Sequence, residues 1–350
     1  MELTPIRVRG KRRAPGEELI TALPLKRARK DLGQKKRAEV RRSKASNIER
    51  SMPLEVLERI FWLSENANFP RASLRLGRLL SGSSTLRETF LTAFGPTWDV
   101  WFGCVHGQAA DFPVIQSYAG WEEDTERFGG NPSFQSNLLA CSWTTIDLIL
   151  NCWDTWVRRH ARKRLFEYIP LWGDPSRPNA YLGSSAAVRT GDIEEAGHYF
   201  FQDYHAFRTV ERLSSYSEGL KYRTERNLST WIEVHRSTEI PDDLVTGPWS
   251  ESSLQKLFWL VRAGARLSPS QTWEITREGF RNAMSDRYIP NLSAIRLLHI
   301  LGAFRDWPKH VRNEEFHRID SVMPVLHRDN DSALHAKYTY VESLLIMNVE

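Results

Sequence analysis

SMPLEVLERIFWLSENANFPRASLRLGRLL, residues Ser51–Leu80, decides the fold class. Ser51 suits a helix N-cap, Pro53 falls in the first turn where its missing N–H costs nothing, and Glu55 sets negative charge against the helix dipole. Leu54, Leu57, Ile60 and Phe61, with Val56 and Leu63 beside them, make one broad apolar stripe on a helix of about three turns. Glu55, Glu58 and Arg59 take the other side. After a loop over Asn66–Pro70, a second helical pattern runs through Ala72, Leu74, Leu76, Leu79 and Leu80 and breaks at Ser81-Gly82. A third starts near Thr85, carries Leu86, Phe90, Leu91 and Phe94 on one face, and is expected to end at Gly95-Pro96. So small a bundle cannot hide this much apolar surface by itself, so part of it must meet another domain or another protein.

Upstream, the composition changes. Residues 1–50 hold 16 Lys and Arg against 6 Asp and Glu, a charge of +10, whereas the remainder of the chain comes to −5 within an overall +5. Apolar residues are scattered there, which predicts a disordered basic tail over 1–50. Clusters at Lys26, Arg27, Arg29 and Lys30, then Lys35, Lys36 and Arg37, then Arg41 and Arg42, have the spacing of a bipartite nuclear-localisation signal for an import receptor. A non-specific nucleic-acid arm and a solvated tail without a partner stay open as alternatives. The acidic remainder argues against nucleic acid, which usually meets a folded basic face.

The opening motif carries a resemblance. Met52-Pro53-Leu54-Glu55-Val56-Leu57 with Ile60-Phe61, then a helix holding Ala72-Ser73, Leu76 and Leu80, resembles an F-box over roughly residues 51–94. The wording of this stretch, with Pro96-Thr97-Trp98-Asp99-Val100-Trp101 behind it, is similar to a group of fungal F-box-like proteins. The resemblance implies a non-enzymatic adaptor that docks on a Skp-family linker and through it on a cullin RING (SCF) ubiquitin ligase. It further implies Pro53, Leu54, Leu57, Ile60 and Phe61 as the linker-binding face, with a protein substrate presented by the C-terminal part. The alternative is a structural scaffold whose F-box-like segment packs only internally.

Residues 96–350 contain twelve of the thirteen tryptophans, spread through helical patterns as interhelix packing would place them. TTIDLILNCWDTWVRRHARKRLFEY reads as a long helix or helix pair reaching Phe166, with a second basic patch at Arg158, Arg159, Arg162, Lys163 and Arg164. Residues 186–196 have a helix, Gly turn, helix cadence, and residues 214–229 read as a polar connection. STWIEVHRST, residues 229–238, alternates like one short strand. Two apolar helices end at Gly264-Ala265 and Gly302-Ala303, as the second helix of an ankyrin unit does, but their 38-residue offset departs from the ankyrin period. The expectation is therefore a mostly α fold with a basic tail over 1–50, an F-box-like module over 51–95 and a Trp-rich helical domain over 96–350. That last domain is irregular or degenerate ankyrin-like.

Signatures for nucleotide binding, nucleophile elbows, zincins, EF-hands and kinases do not occur. Cys104 and His106, with Cys141, Cys152 and His160 as distant partners, fit no zinc spacing. The adjacent pairs Asp242-Asp243 and Glu194-Glu195 point apart on either regular structure, so they read as caps and surface charge. No cofactor or metal is expected. Three irregularly spaced cysteines and the lack of any long apolar run favour an intracellular, soluble chain in the nucleus or cytoplasm.

Overall fold

Pro53, not Ser51, holds the N-cap position of the first helix, with extended backbone and no side-chain cap. The computed structural model describes residues 51–102, 129–161, 165–167, 188–190, 196–221, 232–284, 289–328 and 330–346. The basic clusters from Lys26 to Arg42, Cys104, His106, Trp121, Arg162–Arg164, Trp172, residues 173–185, Glu194, Glu195 and Trp231 lie outside them.

The first half comprises α1 (Leu54–Ser64), a 3-10 turn (Phe69–Ala72), α2 (Leu74–Leu79), α3 (Ser83–Trp101), α4 (Pro132–Leu139) and α5 (Ile146–His160). A short antiparallel ladder, β1 (Leu165–Glu167) with β2 (Val188–Thr190), precedes α6 (Ala196–Arg208), a 3-10 turn (Thr209–Arg212) and α7 (Tyr216–Lys221). The second half is α8 (Asp242–Thr246), α9 (Glu251–Arg262), α10 (Trp273–Met284), α11 (Leu292–Ile300), α12 (Lys309–Arg328) and α13 (Ser332–Ile346). The fold is mostly helical, and Pro53–Glu350 cluster as one compact unit.

Aromatic rings tie its parts together. Phe90 and Phe94 stack at 4.1 Å on α3, Trp98 meets Trp156 of α5 edge-on at 5.9 Å, and Phe94 reaches Trp259 of α9 at 6.4 Å. Trp98 also donates from Nε1 to the Glu233 carbonyl at 2.8 Å. Trp98, Trp153, Trp156, Trp259 and Trp307 are all buried, as interhelix packing requires.

Helices α8 to α13 pack as two rows. Helix α8 lies on α10, and Arg277 and Arg281 of α10 bind Glu315 of α12 at 2.7 and 2.8 Å. The second row is α9 on α11 and α11 on α13. Helices α9 and α11 end alike: Gly264 and Gly302 take φ of 91° and 75°, and Ala265 and Ala303 donate back to Leu260 and Leu298 at 3.0 Å. This is the Schellman closure that a glycine without a Cβ accommodates best.

Five local expectations need correction. Helix α3 runs through Gly95-Pro96: Thr92 and Pro96 both face solvent, so the carbonyl that proline leaves unpaired can be hydrated, while Phe94 and Trp98 stay buried. The Arg-rich helix stops at His160, and Leu165–Glu167 form a strand instead. Its partner Val188–Thr190 falls where a helical cadence was expected, and helix begins only at Ala196. Residues Tyr216–Lys221 are helical rather than a connection. Residues 232–238 form no strand; Glu233, Val234 and His235 are buried in succession, so the segment has no outward face to alternate with.

Candidate docking surface

Helix α1 is apolar around more than half its girth, so its burial has to be settled residue by residue. Leu57 is 0% and Phe61 2% exposed, and the Phe61 ring lies 6.2 Å from Phe69 and 6.3 Å, edge-on, from Phe134 of α4. The polar inner side is anchored as well. Trp62 Nε1 donates to Thr89 Oγ1 at 3.0 Å, and Thr85 Oγ1 donates to the Glu58 carboxylate. Glu58 and Trp62 are one helical turn apart, as are Thr85 and Thr89, so two helix faces meet in register.

The opposite side is left uncovered. Val56 is 40% and Leu63 86% exposed, with half-buried Ile60 between them. At i, i+4 and i+7 these three form a single stripe. Leu54 is 38% exposed at the helix start, and Leu74, the first residue of α2, is 84% exposed. Of the five residues singled out in the sequence, Pro53 and Leu54 thus stand at the surface, Ile60 is intermediate, and Leu57 and Phe61 face the core. Periodicity placed Val56 and Leu63 in the same stripe as Leu57 and Phe61, and Leu74 in the second helical pattern, without telling the exposed residues from the buried ones. The inner side is fixed by the tertiary pairing of Glu58 and Trp62 with Thr85 and Thr89, which turns inward the Glu58 that spacing sets on the polar side.

Arg59, beside the stripe on α1, is exposed, as are Arg71 in the 3-10 turn and Arg75 and Arg78 on α2. Of the three carboxylates in the same stretch, Glu58 is engaged by Thr85, and Glu65 accepts from Asn131 Nδ2 at 2.7 Å. Glu55 alone faces outward unengaged by these bonds. The stripe itself is apolar and open to solvent.

The other chemically suggestive groups serve packing. Cys152 is buried, and burial pushes its thiol up to about 12; burial also raises that of Cys141. Asp242 and Asp243 are exposed in the first turn of α8. Arg159 of the second basic patch is held in a fork by Glu88, at 2.9 and 2.7 Å, and that bond holds the Glu88 carboxyl below its ordinary range. Among the described residues no group of three or more His, Cys, Asp or Glu is placed to hold a metal. No described helix is long and apolar enough to cross a membrane.

No protein-family model matches the chain, and neither a curated protein nor a solved structure matches it.

Proposed function

We propose that this chain is an F-box-like adaptor that docks on a Skp-type linker of a cullin RING ubiquitin ligase and offers a protein substrate to it through the helical array behind. The observation that carries the reading is the solvent-facing stripe of Val56, Ile60 and Leu63 on the helix that Met52-Pro53 lead into and Leu54-Glu55-Val56-Leu57 open. An apolar face of this kind is stabilised by insertion into a partner's groove. The test is co-expression of the full chain with a Skp-type linker from the same cell type. A stoichiometric complex on gel filtration supports the adaptor, and separate elution of two folded proteins rejects it.

A scaffold role is the second reading, favoured by the burial of Leu57 and of Phe61, whose ring meets Phe134. It predicts that the linker is ignored while the fold stays intact. The basic clusters Lys26–Lys30 and Lys35–Arg42 would serve nuclear import in either case. Alanine at Lys26, Arg27, Arg29, Lys30, Lys35, Lys36 and Arg37 is expected to move a fluorescently tagged chain from nucleus to cytoplasm, and an unchanged distribution counts against a signal there.

A further inference from the structure

We infer that His327 and His335 form a site for a divalent transition-metal ion of the Zn2+ class, and that the ion staples α12 to α13; the inference does not depend on the adaptor reading. The two imidazoles lie against each other across the α12–α13 hairpin, with ring centroids 5.2 Å apart and planes 49° from parallel, so they are not stacked. Metal–nitrogen bonds of about 2.0–2.1 Å put a ring centroid about 3.2 Å from the ion, and at a tetrahedral angle two such centroids stand about 5.2 Å apart. The pair thus has the separation that one four-coordinate ion requires of two of its ligands.

The backbone holds that separation. Asn330 turns the chain with φ of 58°, and Asn330 N and Asp331 N donate back to the His327 and Leu326 carbonyls at 3.4 and 3.2 Å. Asp331 then caps α13: its Oδ1 accepts from Leu334 N at 2.9 Å and its carbonyl from His335 N at 3.0 Å. Neither ring hydrogen-bonds to a described side chain or forms an ion pair with one, which leaves a ring nitrogen on each free to ligate. His327 is exposed and His335 half-buried, so an ion can enter and water can complete its coordination. Imidazole nitrogen suits Zn2+, Ni2+ and Cu2+, whereas Mg2+ seeks oxygen. With two protein ligands the site is open and of modest affinity, since among the described residues no third His, Cys, Asp or Glu is placed to join them.

The experiment titrates the full chain, free of any histidine tag, with Zn2+ by isothermal calorimetry and melts it with and without the ion, beside His327→Ala and His335→Ala. Mg2+ is the control cation. The expected result is a rise in thermal midpoint with Zn2+ that Mg2+ does not reproduce, and an affinity about tenfold or more weaker in either variant. Co2+ in place of Zn2+ should give the wild type the visible absorption of a tetrahedral ion, and His327→Ala should lose it. His327 is exposed, so its variant should fold as the wild type does, and circular dichroism checks this. If His335→Ala fails to fold, His327→Ala alone decides. A wild type that does not bind Zn2+, or binding that His327→Ala leaves unchanged, overturns the inference and reduces the pair to ring packing. Zn2+ that binds at the pair without moving the midpoint overturns the staple.

Discussion

Gln135, on α4, has no exposed surface and spends its whole side-chain amide on structure. Its Nε2 donates to the Ala93 carbonyl and to Thr97 Oγ1, both at 2.9 Å, and its Oε1 accepts from His235 N and Thr238 Oγ1, both at 2.8 Å. One residue thereby joins α3, α4 and the segment leading to α8. Gln135→Leu keeps the volume but leaves a backbone N–H and a hydroxyl without their acceptor, at a cost on the order of 3 kcal/mol. A fall in the urea midpoint checks it, and an unchanged midpoint would show that water takes the amide's place. Lys256 gives a prediction in pH. Burial pushes its ammonium down to about 8 from the usual 10.5, although Nζ donates to the Leu139 carbonyl at 2.7 Å. Between about pH 8 and 10.5 the unfolded chain binds this proton and the folded chain does not, so stability from this group rises with pH across that window. Below it the full penalty is present. Lys256→Met should remove the rise, and urea titrations of both proteins at pH 7.5 and 10 would show it as a difference between them.

At the scale of elements, α1 shows how much the sequence could say. Its existence, length and apolar richness follow from spacing, because apolar residues at helical intervals have no other regular way to share one side. Which of two stripes about a quarter-turn to a third of a turn apart faces inward does not follow, since Leu57 with Phe61 and Val56 with Leu63 are equally apolar. The choice is made by tertiary partners, Phe134 from 73 residues later and the threonine pair on α3. Helix α3 makes the same point: Gly95-Pro96 reads as a stop, yet burial on the far face carries the helix through it. The closures at Gly264 and Gly302 were readable because a Schellman end is a local arrangement. Gly279, inside α10, was not readable, because its reason is a neighbouring element. A Cβ built there would lie 2.1 Å from the Val245 carbonyl oxygen of α8 and 3.5 Å from Leu298 of α11. Gly279→Ala should therefore force α8 off α10 and cost roughly 1–3 kcal/mol despite the better helix propensity of alanine. Thermal melting checks the sign; a stabilised variant would mean that α8 yields freely.

For the molecule as a whole, the question is whether the N-terminal helices and the two-row array unfold together. The buried group around Arg262 links them. Its Nη1 and Nη2 donate to Asp203 of α6 and Glu233 at 3.1 Å, Trp259 Nε1 donates to the other Glu233 oxygen at 2.6 Å, and Trp98 of α3 holds the Glu233 carbonyl. Arg262 and Asp203 are both buried, so taking away the guanidinium removes the cation that two carboxylates share in a medium that solvates them poorly. Arg262→Met should cost about 3–5 kcal/mol. Because Glu233 is shared between α3 and α9, that loss should be felt by both halves. Hydrogen exchange read by mass spectrometry separates the outcomes. If peptides from α3 and from α11 lose protection by the same amount in Arg262→Met, the chain from Pro53 onward is one cooperative body and a docked linker would be rigidly coupled to whatever the array holds. If α11 weakens while α3 keeps its protection, the halves open independently, and the ring contacts at Phe94 and Trp98 are too weak to transmit position from the proposed docking face to the array.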